Sequence, residues 1–389
     1  MAAFGENVLI KRLSFIRAFN RMSGLKKPST NKSSSLLIKT KSTSQTPRKF
    51  KSAILLAITA LAFCASPGSR ADGDCYCETI WTHVGAGDWF TQSNWSSIVP
   101  DCGQGNCPGH PVEARINNGG TAQINSTTQT AYACEMFIGF SPGDSGSLSV
   151  SHGALNQCGD IFVGYGGSGK LTITNGGFVH TFFNPSIGSQ QNSNGSVTVD
   201  GQYQDGTKSQ GLVAGELEVG GTINGEGGTG LLTITNSATL TAGSVHVWKS
   251  GTVTGNSSIT TTSGMTVDGT VAPSGGGGTL TLVGDLHLKA GATTQCKVIP
   301  QDPSTTPQVS VSGQVSLGGR LSVTMSGDFS SAPTRFTLLY ADSVNSLHRT
   351  FDSESITYPT GQGCWIPQIT YDYTGGHVHV YLDRVYNCN

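Results

Sequence analysis

The pentapeptide Leu-Thr-Ile-Thr-Asn occurs twice, at 171–175 and 232–236, and each copy sits inside the same larger frame. That frame is an apolar-Gly step, a Gly-rich turn, an alternating strand and a second turn. It reads Phe137-Ile138-Gly139, then Gly146-Ser147-Leu148-Ser149-Val150, then Gly153. It returns as Phe162-Val163-Gly164 with Gly169-Lys170-Leu171-Thr172-Ile173, and as Ser186-Ile187-Gly188 with Gly195-Ser196-Val197-Thr198-Val199. A fourth copy, Glu218-Val219-Gly220 with Gly230-Leu231-Leu232-Thr233-Ile234, carries an insertion. Ile138 to Val163 is 25 residues and Val163 to Ile187 is 24. A repeat this short is about half a propeller blade, and it points to a stacked solenoid.

Apolar residues alternate and do not recur at three and four, as at Leu148/Val150, Leu171/Ile173 and Val197/Val199. Alternation of this kind places one set of side chains on one face of a strand, with Ser and Thr opposite. The expected architecture is all-β, a right-handed parallel β-helix. Leu148, Leu171, Val197 and Leu232 would form one interior column, and Val150, Ile173, Val199 and Ile234 the next. Each coil would advance the stack by about 4.8 Å. Four regions follow: 1–71, a basic extension with a signal peptide; 72–133, a Trp- and Cys-bearing N-terminal segment; 134–288, the coils; and 289–389, degenerate coils with a C-terminal cap.

The formal charge of −1 conceals a division. Lys and Arg crowd the first 51 residues, whereas the chain beyond Ala71 has 10 basic and 23 acidic residues. An acidic body repels phosphate backbones and argues against nucleic-acid binding. The basic block leads into the apolar run Ala53–Phe63, too short to span a bilayer, and Ser69-Arg70-Ala71 supplies a cleavage site after Ala71. The long n-region suggests either a start at Met22 or an extended signal sequence, and a lipoprotein reading at Cys64 is disfavoured by the bulky Phe63. Export is expected, to the cell surface or beyond, with no transmembrane segment in the mature chain.

Ten cysteines leave nine after that cleavage, an odd number, so one thiol is free or bonded to another chain. In an oxidising compartment, Cys102 and Cys107 are expected to form a disulfide. The competing reading is a zinc set of Cys102, Cys107 and His110 with Cys75 or Cys77. Cys134 and Cys158 lie one repeat apart and are candidates for a bridge between adjacent coils.

Other motifs weigh less. Gly164–Lys170 has the spacing of a phosphate-binding loop, but Leu171 follows where a hydroxyl is needed, and the loop opens a strand. Gly227–Gly230 and Gly166–Gly169 lack the Asp of calcium-binding nonapeptides, leaving only weak surface calcium and no resident cofactor. Trp81, Trp89 and Trp95 could stack on sugars, although covering the open first coil is the favoured reading. Asp144, Asp160, Asp200, Asp205, Glu216, Glu218 and Glu226 occupy different frame positions. Only Glu216 and Glu218 share a face, and that pattern is expected of solvated surface.

The stretch Gly159-Asp160-Ile161-Phe162-Val163-Gly164-Tyr165-Gly166-Gly167-Ser168-Gly169-Lys170-Leu171-Thr172-Ile173-Thr174-Asn175-Gly176-Gly177 resembles the bacterial repeats of type V secretion passengers and PEP-CTERM proteins. So do Gly87-Asp88-Trp89, Asn94-Trp95 and Gly269-Thr270-Val271-Ala272-Pro273. The resemblance covers most of Trp81 to Leu382. It implies a parallel β-helix outside the cell, without naming an activity. It is incomplete: neither an outer-membrane barrel nor a Val-Pro-Glu-Pro anchor follows, so self-translocation and sorting to an anchor are not expected.

The expected function is therefore a structural or adhesive β-solenoid without catalysis, displaying the turns Tyr203–Leu212 and Ile223–Gly230 to extracellular polysaccharide or surface proteins. The alternatives are a polysaccharide-binding or polysaccharide-degrading lyase or hydrolase, and a passenger exported through a separately encoded barrel.

Overall fold

A computed structural model describes residues 77–101, 112–274, 278–300, 308–329, 332–345, 349–359 and 365–386. The stretch expected to be a signal peptide and the Cys102, Cys107 and His110 set lie outside these residues. The described chain is all-β, with one sheet of 18 strands, one of 11, and a two-stranded hairpin. Each repeat supplies three strands. One repeat gives Glu135–Ile138, Ser145–Ser151 and Ala154–Gln157, and the next gives Ile161–Val163, Ser168–Thr174 and Phe178–Thr181. Each strand pairs in parallel with its equivalent one repeat on. This arrangement is compatible with a β-solenoid.

The register follows the repeat residue for residue. Leu148 pairs with Leu171, Leu171 with Val197, and Val197 with Leu232. Val150, Ile173, Val199 and Ile234 make the parallel series, and all eight side chains are buried. Burying each side chain of this size contributes about 1.5–3 kcal/mol. Slipping by one residue would turn the whole set toward water, so the register is strongly specified. The first column continues through Val253 and Val271 to Thr294, whose buried hydroxyl has no hydrogen-bond partner.

The apolar-Gly step has a backbone cause. Gly139, Gly164, Gly188 and Gly220 all have positive φ, between 72° and 82°. A Cβ on Gly164 would lie 2.3 Å from the Asn194 carbonyl oxygen in the next coil. Glycine alone satisfies both the left-handed conformation and that close approach. Asn175 and Asn236, which end the two copies of the pentapeptide, also adopt positive φ, at 51° and 55°, a conformation that Asn tolerates better than most residues.

The two ends differ from the middle. At the N-terminal end, Cys77–Ile80 pairs with Val112–Ile116, and Ala86–Asp88 with the strand Asn118–Ile124. Trp81, Trp89 and Trp95 pack edge to face there, with Trp95 centred 5.0 Å from Trp81 and 4.8 Å from Trp89. Trp81 and Trp89 are wholly buried and Trp95 is 4% exposed. The sugar-stacking expectation for these residues is corrected, because no indole face is open to a ligand.

At the other end, Arg335–Val344 pairs in parallel with Val309–Ser316 and antiparallel with Val378–Tyr386. Val378–Tyr386 in turn pairs antiparallel with Trp365–Asp372.

The expected Cys134–Cys158 bridge is also corrected. Cys134 is a free thiol, whereas Cys158 is disulfide-bonded, and so to another cysteine. Both lie at a corner where the register slips. Ala133 pairs with Gln157 and Met136 with Ile161, so two residues in one coil face three in the next. Cys134 and Cys158 directly follow the paired Ala133 and Gln157, so the slip comes after them and matched spacing alone does not join the two cysteines.

Candidate functional site

The strand Gln210–Val219 has a register shift between Val213 and Glu216. Beyond it, Leu217 and Val219 are buried with the apolar core, and Glu216 and Glu218 alternate with them. In the next coil, Thr239–Val247 pairs Glu218 with His246 and Val219 with Val247. Parallel register thus sets a carboxylate beside an imidazole, and ligand atoms of Glu216, Glu218 and His246 all lie within 4.8 Å of one another.

The frame position occupied by Gly220 is taken over in later coils by other residues. Val219 pairs with Val247, Val247 with Val267, and Val267 with Leu288. The residues after these are Trp248, Asp268 and Lys289. All three reach the cluster or its support. Trp248 Nε1 donates to Glu218 Oε2 at 2.6 Å, and its ring centre lies 3.9 Å from that of His246. His246 Nε2 meets Asp268 Oδ2 at 3.0 Å, and Lys289 Nζ reaches the same oxygen at 3.0 Å. His246 Nδ1 lies 3.7 Å from Glu218 Oε2.

The insertion between Gln210–Val219 and the strand Thr229–Thr235 forms the hairpin of Gly221–Thr222 with Gly225–Glu226. A Cβ on Gly221 would lie 2.6 Å from the Trp248 ring, so the hairpin rests against the indole. Glu218 is consequently only 1% exposed, which corrects the expectation of a solvated carboxylate pair. Burial pushes its carboxyl above the ordinary range, with Glu216 adding to the effect against the Trp248 hydrogen bond and His246. Burial acts upward on Asp268 too, but hydrogen bonds from His246 and Lys289 outweigh it and hold that carboxyl below its usual range.

The other sequence-nominated groups do not converge on this site. Gly164 turns the chain with positive φ and Ser168–Thr174 is a strand, so the Gly164–Lys170 loop joins two strands. Asp200 accepts from Thr235 and Asn236, serving the turn between coils. Asp205 caps its own turn through the Thr207 amide. His246, Trp248, Asp268 and Lys289 escaped the sequence reading. The one available signal was the loss of glycine at a frame position that earlier coils keep.

No family model matches the chain, and neither a curated protein nor a solved structure matches it. Among the described residues no helix is long and apolar enough to cross a membrane.

Proposed function

We propose that this protein is an exported structural or adhesive element, a right-handed parallel β-helix acting at the cell surface or outside the cell. The observation that carries this reading is the parallel pairing maintained through all strands of the 11-stranded sheet, from Ala86–Asp88 to Ser353–Thr357. Such a stack is stabilised by contacts between neighbouring repeats and tolerates insertions at its turns. The insertions are presented accordingly: Ile223 is 60% exposed at the hairpin tip, and Tyr203 stacks on His152. The basic and apolar leader and the resemblance to type V secretion and PEP-CTERM repeats support export.

Polysaccharide cleavage is the second reading. The pairing of Glu216 with a buried Glu218, whose carboxyl is pushed above its usual range by burial, favours it, since glycosidases oppose two carboxyl groups in this way. Against it, Trp248 and the hairpin leave no room for a sugar ring at Glu218. Passage through a separately encoded barrel is a third reading, resting on the family resemblance alone.

The test is a glycan and surface-protein binding screen run beside reducing-sugar and unsaturated-product assays on the same polysaccharides. Binding without turnover supports the adhesive reading. Turnover that Glu218→Gln abolishes would replace it with the enzymatic one.

A further inference from the structure

We propose that Glu216, Glu218 and His246 bind a divalent transition-metal ion of the zinc type on the outer face of the 18-stranded sheet. The geometry supports this first. Three ligand atoms from two side-chain types lie within 4.8 Å of one another. Glu218 Oε2 and His246 Nδ1 are 3.7 Å apart. Two ligands on one tetrahedral zinc ion, at bond lengths of about 2.0–2.1 Å, are about 3.4 Å apart. A small side-chain adjustment therefore closes the site.

The hydrogen-bond pattern is the second observation. His246 Nε2 lies at hydrogen-bond distance from Asp268 Oδ2, which Lys289 also holds, so the imidazole is anchored through that nitrogen. Its other nitrogen, Nδ1, faces Glu218 Oε2 across a gap too long for a hydrogen bond. A cation seated there would bridge the two atoms. The carboxylate of Glu218 is nearly inaccessible, yet its one hydrogen-bond donor is the uncharged indole of Trp248. No Lys or Arg pairs with it among the described residues, and Glu216 brings a second negative charge. Burying a carboxylate is costly unless it is paired, and a cation bridging Glu218 to His246 would pair it.

The surroundings fit metal ligation as well. Metal-bound histidines usually hold a carboxylate through their other ring nitrogen, as His246 Nε2 meets Asp268, and ligating carboxylates are themselves held by hydrogen bonds, as Trp248 holds Glu218. An imidazole with two carboxylates suits zinc-like ions better than calcium, which takes six to eight oxygens. Glu216 and His246 are partly exposed, which leaves a path for the ion.

The experiment is zinc uptake by the full secreted chain after its accessible thiols have been alkylated, measured by equilibrium dialysis and repeated with Co²⁺ for its absorption spectrum. One ion per chain is expected. Glu216→Gln and His246→Gln should each weaken binding at least tenfold, and Asp268→Asn by about 10-fold or more. Glu226→Gln, on the exposed hairpin, should leave it unchanged. Glu216 is partly exposed, so its variant tests the site even if changes at buried Glu218 disturb folding. Failure to bind zinc at millimolar concentration overturns the proposal, and a proton shared between His246 and Glu218 then fills the gap. Uptake that survives Glu216→Gln and His246→Gln, or falls equally in Glu226→Gln, overturns it in favour of diffuse surface charge.

Discussion

The coils between Glu135 and Leu288 and the terminal strands between Arg335 and Tyr386 hold together by different means. In the coils, like side chains stack on like across parallel strands, and glycines with positive φ let the backbone turn at the same place in four successive coils, at Gly139, Gly164, Gly188 and Gly220. In the terminal strands the pairing reverses to antiparallel, and polar contacts tie the outer strands together. Arg335 forms two hydrogen bonds to Asp383, at 2.6 and 2.9 Å, and Thr370 donates to the same carboxylate. A parallel stack left open would present unpaired strand edges, which invite association with other chains. The comparison teaches that the repeat extends the fold, whereas departure from the repeat ends it.

Changes to the coils should show the largest effects. Gly164→Val combines a disfavoured φ of 72° with a contact of 2.3 Å to the Asn194 carbonyl. We expect a loss above about 4 kcal/mol, seen as failure to accumulate soluble protein. Ile173→Ala should cost about 2–5 kcal/mol through the cavity it leaves. Because coils stack on their neighbours, hydrogen exchange should accelerate first in Ser145–Ser151 and Asn194–Asp200. Uniform acceleration through Arg335–Tyr386 would erase the distinction between the two regions.

The terminal strands should respond more gently. Asp383→Asn should cost about 1 kcal/mol, since Arg335 is half-exposed and its ion pair is screened. Burial raises the Asp383 carboxyl, but Arg335 and Thr370 more than offset this and hold it below its usual range. A folded pKa below the unfolded one means that this stabilisation is full at neutral pH. It disappears as pH falls from about 4 through the folded value. Denaturation midpoints measured across that window should lose this component in Asp383→Asn.

The smallest effect concerns reactivity rather than stability. Burial pushes the Cys296 thiol up to about 12, and raises that of Cys134 to a lesser degree. Alkylation of the native protein near pH 8 should label Cys134 slowly and leave Cys296 untouched, as peptide mapping would read. Rapid labelling of Cys296 would mean that the coil around Thr293–Val298 opens more readily than its packing implies.

Legibility followed the repeat. The columns Leu148–Leu232 and Val150–Ile234 could be paired from the sequence because a two-residue alternation leaves one register that buries both series. The Cys134–Cys158 pairing was drawn from the same spacing and is not formed, although Ala133 and Gln157 just before them pair in register, so aligned backbone positions did not suffice to join the two cysteines. The three tryptophans read from the sequence chiefly as a cover for the first coil; what the sequence did not show is their edge-to-face packing against one another. Glu216 and Glu218 were visible as a pair on one face. The burial of Glu218 was not, since Trp248 and the insertion hairpin create it from elsewhere in the chain.

By itself the sequence determined an all-β chain of short strands, their parallel register and the placing of its glycines, since periodicity and φ are local properties that recur with each repeat. Only the tertiary structure decided the line from Glu218 through His246 and Asp268 to Lys289. Those residues come from successive coils of unequal length, so no spacing links them in sequence. They meet because strand pairing, which acts between coils, sets them side by side.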